Sequence, residues 1–191
     1  MLLAFRNLQP PARVSPSYPT SYSVKSIGLL SDTHGYLDER ILHHLSTCDE
    51  IWHAGDFGNV AVADTLEAIA PLRGVYGNID GQDVRATEPL VQAFEIEGLR
   101  VLMTHIGGYP GRYTPAAKPL IAEYKPGLFI SGHSHILKVM PDKRNHLLHL
   151  NPGAAGRHGF HTVRTMLRFQ INRGKVEQLQ AIELGPRTER G

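Results

Sequence analysis

Five apolar runs in this 191-residue chain each stop on a residue type that can hold a metal ion. Ile27-Gly28-Leu29-Leu30 ends at Asp32 and His34, and Ile51-Trp52 runs into Asp56. Gly74-Val75-Tyr76 delivers Asn78, Leu99 to Met103 ends at His105, and Leu128-Phe129-Ile130 stops on His133 and His135. Short apolar runs bounded by Gly and polar residues read as buried strands. Over the first three-quarters of the chain such strands alternate with helical patterns, and sheets of that kind place their ligand crevice beyond the carboxyl ends of the strands. Five deliveries to one edge therefore predict one polar site. Side chains two apart on an extended chain leave on the same face, so Asp32 is expected to point with His34, and His133 with His135. A Gly precedes Asp56, Asn78 and His133, and is expected to let the backbone turn sharply there.

Helical spacing fills the gaps between the strands. Leu37, Ile41 and Leu45 form one apolar stripe. Asn59 is a natural N-cap for a helix carrying Val62, Leu66 and Ile69 on one face, stopped by Pro71. A third helix is expected with Thr114 as N-cap and Pro115 at its first position, presenting Ala117, Leu120, Ile121 and Tyr124. Residues 106–113, rich in Gly and Pro, must be a loop. Beyond it the chain reads as all-β, with strands near 136–140, 146–150, 162–171 and 175–183. Turns are expected at Asn151-Pro152-Gly153 and Asn172-Arg173-Gly174.

Composition excludes several classes of function. A formal charge of +2 with no basic run gives no footprint for nucleic acid. No apolar stretch approaches the roughly 20 residues that span a bilayer. The single cysteine, Cys48, is read as a core or helix-end residue; it excludes an internal disulfide and a Cys-rich metal site. The expected location is the cytoplasm. Residues 1–25, with Pro10, Pro11, Pro16 and Pro19, read as a turn-rich extension, either a packing arm or a stretch upstream of a natural start near Val24. Residues 26–185 form the domain and 186–191 a polar tail.

The donor set constrains the chemistry further. Carboxylate, imidazole and one amide without thiolate favour Mn, Fe, Zn, Co or Ni over copper(I) or iron–sulfur clusters. Imidazoles argue against calcium or magnesium as sole occupants. Seven candidate ligands are too many for one tetrahedral ion but suit two ions sharing a carboxylate, a device for in-line displacement at phosphorus or for hydrolysis of another ester.

Asp-x-His at Asp32–His34, Gly-Asp at Gly55–Asp56, Gly-Asn at Gly77–Asn78, the lone His105 and Gly-His-x-His at Gly132–His135 occur in that order. Together they resemble the calcineurin-like metallophosphoesterases, and most closely the small YfcE-like phosphodiesterase branch, over about residues 26–184. The resemblance implies an α/β (α+β) fold in four layers, α/β/β/α, with two mixed β-sheets face to face and helices outside. It implies Asp32, His34, Asp56 and His135 around one divalent ion, and Asp56, Asn78, His105 and His133 around a second. Asp56 would bridge them, with Mn the favoured occupant and Fe, Zn, Ni and Co the alternatives. The implied activity is a phosphodiesterase in which a metal-bridging hydroxide attacks phosphorus in line, on a small-molecule or nucleotide phosphoester.

One departure stands out. In the larger family the fourth motif reads Gly-Asn-His-Asp/Glu, and that His is taken to protonate the leaving oxygen. This chain has Ile79 there, so the usual general acid is absent and Asp80 is left with nothing to orient. No other catalytic side chain is assigned. The retromer subunit Vps29, similar in fold and in its Gly-Asn-x-Asp form, implies the alternative of a non-catalytic scaffold; its metal site is eroded, whereas all seven positions are intact here. Arg112, between Tyr109 and Tyr113, joins Asn78 as a weaker candidate for substrate contact. His53 is expected to make a structural hydrogen bond. Arg157, His158 and His161 could supply an acid, but a surface role or a contact in a homo-oligomer is the expectation.

Overall fold

The computed structural model describes residues 23–188. Most of the N-terminal extension and residues 189–191 lie outside that range. Ten strands and four helices follow one another: β1 (Lys25–Leu30), α1 (Glu39–Leu45), β2 (Glu50–His53), α2 (Val60–Glu67), β3 (Leu72–Gly74), α3 (Gln82–Thr87), β4 (Val91–Ile96), β5 (Leu99–Thr104), α4 (Ala117–Tyr124), β6 (Leu128–Ile130), β7 (Leu137–Asp142), β8 (Leu147–Pro152), β9 (Val163–Asn172) and β10 (Lys175–Pro186). One sheet has the order β10-β9-β1-β2-β3 and the other β4-β5-β6-β8-β7. Both are mixed. β1, β2 and β3 run parallel, as do β5, β6 and β8, with antiparallel strands outside them.

Alternation along the strands builds the four layers. Ile27, Leu29 and Trp52 of the first sheet face Val101, Met103, Leu128 and Ile130 of the second, in a core shared by the two sheets. Their neighbours turn outwards. Leu30 and Ile51 pack with Ile41, Leu45, Leu66 and Val84 from α1, α2 and α3. On the far side, Leu102 and Phe129 pack with Ala117 and Ile121 of α4. Burial of roughly 25 cal/mol per Å² of apolar surface, repeated across three interfaces, makes this layering the stable solution. The helix caps follow the sequence in part: Asn59 accepts from Val62 N at 3.3 Å.

Three local expectations need correction. α3 was not anticipated, because six residues carrying one buried apolar side chain, Val84, give no periodic signal. The helix expected from Thr114 begins at Ala117; Thr114 Oγ1 accepts from Ala117 N at 3.2 Å across a turn that precedes it. β8 continues through Asn151 and Pro152, displacing the turn to Gly153. Pro152 is tolerated because β6 has ended, so no β6 carbonyl waits for an N–H there.

Two buried histidines link this core to pH. His53 stacks on Phe57 with ring centroids 3.7 Å apart, and burial pushes its pKa down to about 3. Its Nδ1 accepts from Gly55 N–H at 3.2 Å, so Nε2 carries the proton and donates to Thr33 Oγ1 at 2.9 Å. His149, also buried, is lowered to about 4, chiefly by burial and then by the charge of Lys138. Both pKa values lie below the unfolded value near 6.5, so the unfolded chain binds more protons in between and stability must fall as pH drops through that window. The expected slope is up to about 1.4 kcal/mol per pH unit for each histidine. Urea unfolding of wild type and of His53→Gln between pH 7 and 4 checks this; equal slopes in both proteins would remove His53 from the account.

Candidate metal centre

The carboxyl ends of β1, β2 and β3 in one sheet, and of β5 and β6 in the other, open onto the same loops. Backbone hydrogen bonds tie these loops together. Asp32 N donates to Gly55 O at 2.9 Å, His34 N to Asp56 O at 3.0 Å, and Gly132 N to His105 O at 2.9 Å. His133 N donates to Asp32 Oδ2 at 3.1 Å, joining β1's loop to β6's.

The expected reason for the side-chain directions does not hold. Asp32, His34, Asp56, His133 and His135 themselves adopt left-handed backbone conformations, with φ between 49° and 65°. None of them projects from an extended strand. For residues with a Cβ this conformation costs about 1–2 kcal/mol each, and such strain collects at functional sites. Of the three preceding glycines only Gly55 has positive φ, at +96°. Gly77 and Gly132 serve close approach instead: a Cβ on Gly77 would lie 1.9 Å from Asp56 Oδ1, and one on Gly132 would lie 2.2 Å from Ser31 Oγ.

Two groups of donor atoms result. Asp32, His34 and His135 bring their atoms within 4.8 Å of one another, as do Asp56, His105 and His133. The contacts inside each group are ones that a cation would relieve. His34 Nε2 faces His135 Nε2 at 3.5 Å, and Asp32 Oδ1, fully buried, has no hydrogen-bond partner although His135 Nε2 lies 3.2 Å away. His105 Nδ1 lies 2.7 Å from the Ala54 carbonyl, which can only accept, so that nitrogen carries the proton. With the ring neutral, as a metal ligand must be, Nε2 turns its lone pair towards Asn78 Oδ1, 3.1 Å away, and Asp56 Oδ1, 3.3 Å away, contacts that a cation would relieve. Without a cation the carboxylates favour a proton there instead: burial lowers the pKa of His105, but a hydrogen bond from the protonated ring to Asp56 and the charges of Asp32 and Asp56 outweigh it and raise the net value. Burial of His34 prevails over the same carboxylates and lowers its pKa. Asp56 reaches both groups, with Oδ1 towards His105 and Oδ2 3.9 Å from His34 Nε2. Oxygen and nitrogen donors converging without matching protons fit divalent cations.

The domain pattern described as the calcineurin-like phosphoesterase superfamily domain matches residues 26–174. The chain belongs to the calcineurin-like phosphoesterase superfamily. A probable metallophosphoesterase of Methanothermobacter thermautotrophicus is 32% identical over 135 residues, 67% of this chain and 76% of that protein. A novel archaeal phosphodiesterase shares the fold with a TM-score of 0.64 at 22% identity, over 83% of this chain and 99% of its own. So does zinc-complexed Vps29 from Entamoeba histolytica, with a TM-score of 0.63 at 17% identity, over 83% and 98%. Calcineurin-like phosphoesterases are metal-dependent, and the two donor groups give this member a place for metal.

All seven positions read from the sequence meet at this centre, and His133 and His135 fall in different groups although they are neighbours in the chain. Arg112 is exposed on the 106–113 loop and does not line the cavity over the donor groups. Asp80 is not idle: buried, it accepts from Gly58 N at 2.8 Å and Gly77 N at 2.7 Å, pinning the loop after β3 to the loop after β2. Ile79 N donates to Asp56 Oδ1 at 3.1 Å, while the side chain stands about half exposed.

His158, exposed as expected, and the partly buried His161 stand beside the donor groups. Their rings approach His34 and His135, with centroids 4.9 Å and 5.3 Å apart respectively, and both line the cavity of about 480 Å³ over the centre. Gly159 lies between them, and a Cβ there would meet His135 Nδ1 at 2.2 Å. Arg157 packs its guanidinium over Tyr36 at 4.5 Å, beside a different cavity.

Proposed function

We propose that this protein is a phosphodiesterase that works with two divalent cations. Asp32, His34, Asp56 and His135 would hold one, and Asp56, Asn78, His105 and His133 the other. The observation that carries this reading is Asp56, whose two carboxylate oxygens address separate donor groups. When bound, a pair of divalent cations supplies Lewis-acid activation of water and of phosphoryl oxygens.

The protein's own residues prepare that chemistry. The Ala54 carbonyl fixes the His105 tautomer so that Nε2 is free to bind. Ile79 N and Asp80 hold Asp56 and the Gly77–Asn78 turn in register. His158 and His161 are the titratable side chains that line the cavity besides the proposed ligands, and burial lowers the pKa of His161. With Ile79 where a proton donor would stand, diesters with good leaving groups are the favoured substrates, and Mn the favoured metal.

Elemental analysis and hydrolysis of bis(4-nitrophenyl) phosphate with added Mn test this. Two metal ions per chain and faster turnover of the diester than of 4-nitrophenyl phosphate are expected. A second reading, a non-catalytic binding protein, is favoured by the apolar rim of the cavity, where Ile79, Ile136 and Phe160 are exposed. A chain that retains no metal and hydrolyses neither compound would overturn the enzyme and favour the binding protein.

A further inference from the structure

Behind the Asn78–His105 wall of the centre lies a second cavity of about 270 Å³. It sits between the turn after β3, α3, the ends of β4 and β5 that face the loops, and the start of α4. Asn78 lines both cavities, so the two adjoin at that residue. The lining is almost wholly apolar, and several polar atoms of the wall have partners. Thr104 Oγ1 donates to Leu90 O at 3.3 Å, Asn78 Oδ1 lies 3.1 Å from His105 Nε2, and Arg85 Nε donates to Asp80 O at 2.8 Å. What remains is apolar: Leu90 and Ile106 are exposed at the mouth, with Ala116 and Leu120 of the α4 segment opposite. The guanidinium of Arg85 lies 4.7 Å over the Tyr76 ring, giving one flat side.

We propose that this cavity takes a flat aromatic group of one or two fused rings, carried by the phosphoester whose phosphoryl group binds at the metal centre. The inference rests on the phosphoesterase reading and names the substrate class for it. Size and chemistry both select the ring. A cavity of about 150 Å³ is enough for benzene, so this one accepts a larger ring system but not a drug-sized ligand. Sugar hydroxyls or peptide groups would meet an almost wholly apolar lining, which is costly for buried polar atoms. A planar ring suits the Tyr76–Arg85 face, where stacking and cation–π contact are available. A nucleobase or an aryl substituent supplies such a ring.

Phosphonates test the assignment without turnover, because their P–C bond is not a substrate for hydrolysis. Calorimetry on the Mn-loaded protein would compare methylphosphonate, benzylphosphonate and hexylphosphonate. Benzylphosphonate is expected to bind at least about tenfold more tightly than methylphosphonate, the gain from burying one ring. It should also bind more tightly than the hexyl compound. Ala116→Trp, which fills the cavity from an exposed position, should bring the benzyl-to-methyl ratio close to one, and Leu90→Ala should reduce it severalfold; metal content shows that each variant is folded. Equal affinity for benzyl and methyl, or a preference that survives Ala116→Trp, overturns the pocket while leaving the phosphoesterase reading intact. A hexyl compound that binds as well as the benzyl one overturns the aromatic assignment. Failure of all three to bind overturns both.

Discussion

Asp56→Asn is expected to reduce metal content from two ions per chain to less than one, and diester turnover by at least about a thousandfold. The change is nearly isosteric, so the effect is electrostatic. Asp56 is buried, and its neighbours lower its pKa despite that burial: the hydrogen bond to His105, its charge, and Ile79 N–H all favour the carboxylate. An amide in that place offers one oxygen instead of two and no charge, so it cannot serve both donor groups. Loss of a charged ligand proposed to serve two cations should exceed the 10- to 100-fold usual for a residue that only supports a ligand. Elemental analysis, with turnover of bis(4-nitrophenyl) phosphate, decides. If one ion stays at full occupancy while the other is lost, Asp56 belongs to a single site and the shared-carboxylate account is wrong.

The second large effect is steric. Gly77→Ala would place a methyl group 1.9 Å from Asp56 Oδ1 and 2.4 Å from Asp56 N. The backbone nitrogen cannot rotate away, so either the turn after β3 or the loop after β2 must move. Overpacking of this kind costs about 1–3 kcal/mol, and here the displaced atoms are the proposed bridging carboxylate. The variant is expected to melt several degrees lower without metal and to gain little from added Mn, whereas wild type gains markedly. Gly111→Ala is the control. Its φ of +85° disfavours alanine too, but nothing lies within 4 Å of the added Cβ, so it should lose about 1 kcal/mol and keep its response to Mn. Thermal melts of the three proteins with and without Mn make the comparison. An unchanged response in Gly77→Ala would mean that the loop yields easily and that the site tolerates movement of Asp56.

The layers and the centre were legible in the sequence for one reason. Runs such as Ile27–Leu30 and Leu128–Ile130 carry the strand pattern and stop directly on the functional residues, so the same letters report burial and site. α3 was not legible because Val84 alone reports its buried face. The use of Asp80 was missed because it was judged as the partner of a side chain, whereas it holds two backbone N–H groups, which any sequence contains. The place of His158 and His161 beside the donor groups was hidden for a related reason. They lie on no periodic element, and only the return of the chain past His34 and His135 shows what they face. The left-handed conformation of five site residues leaves only a faint trace in residue type: Asp and His tolerate positive φ better than most side chains, but they do not announce it as glycine would.

Each donor group draws on both halves of the sandwich. Asp32 and His34 follow a strand of the first sheet and His135 one of the second; Asp56 follows the first, and His105 and His133 the second. A cation in either group is therefore a rivet through two plates that otherwise meet mainly through side-chain packing. Occupancy at a hundred times the dissociation constant would add about 2.7 kcal/mol to the cohesion of the whole molecule. Metal supply would then bear on how firmly the two sheets hold together as well as on how fast the protein works.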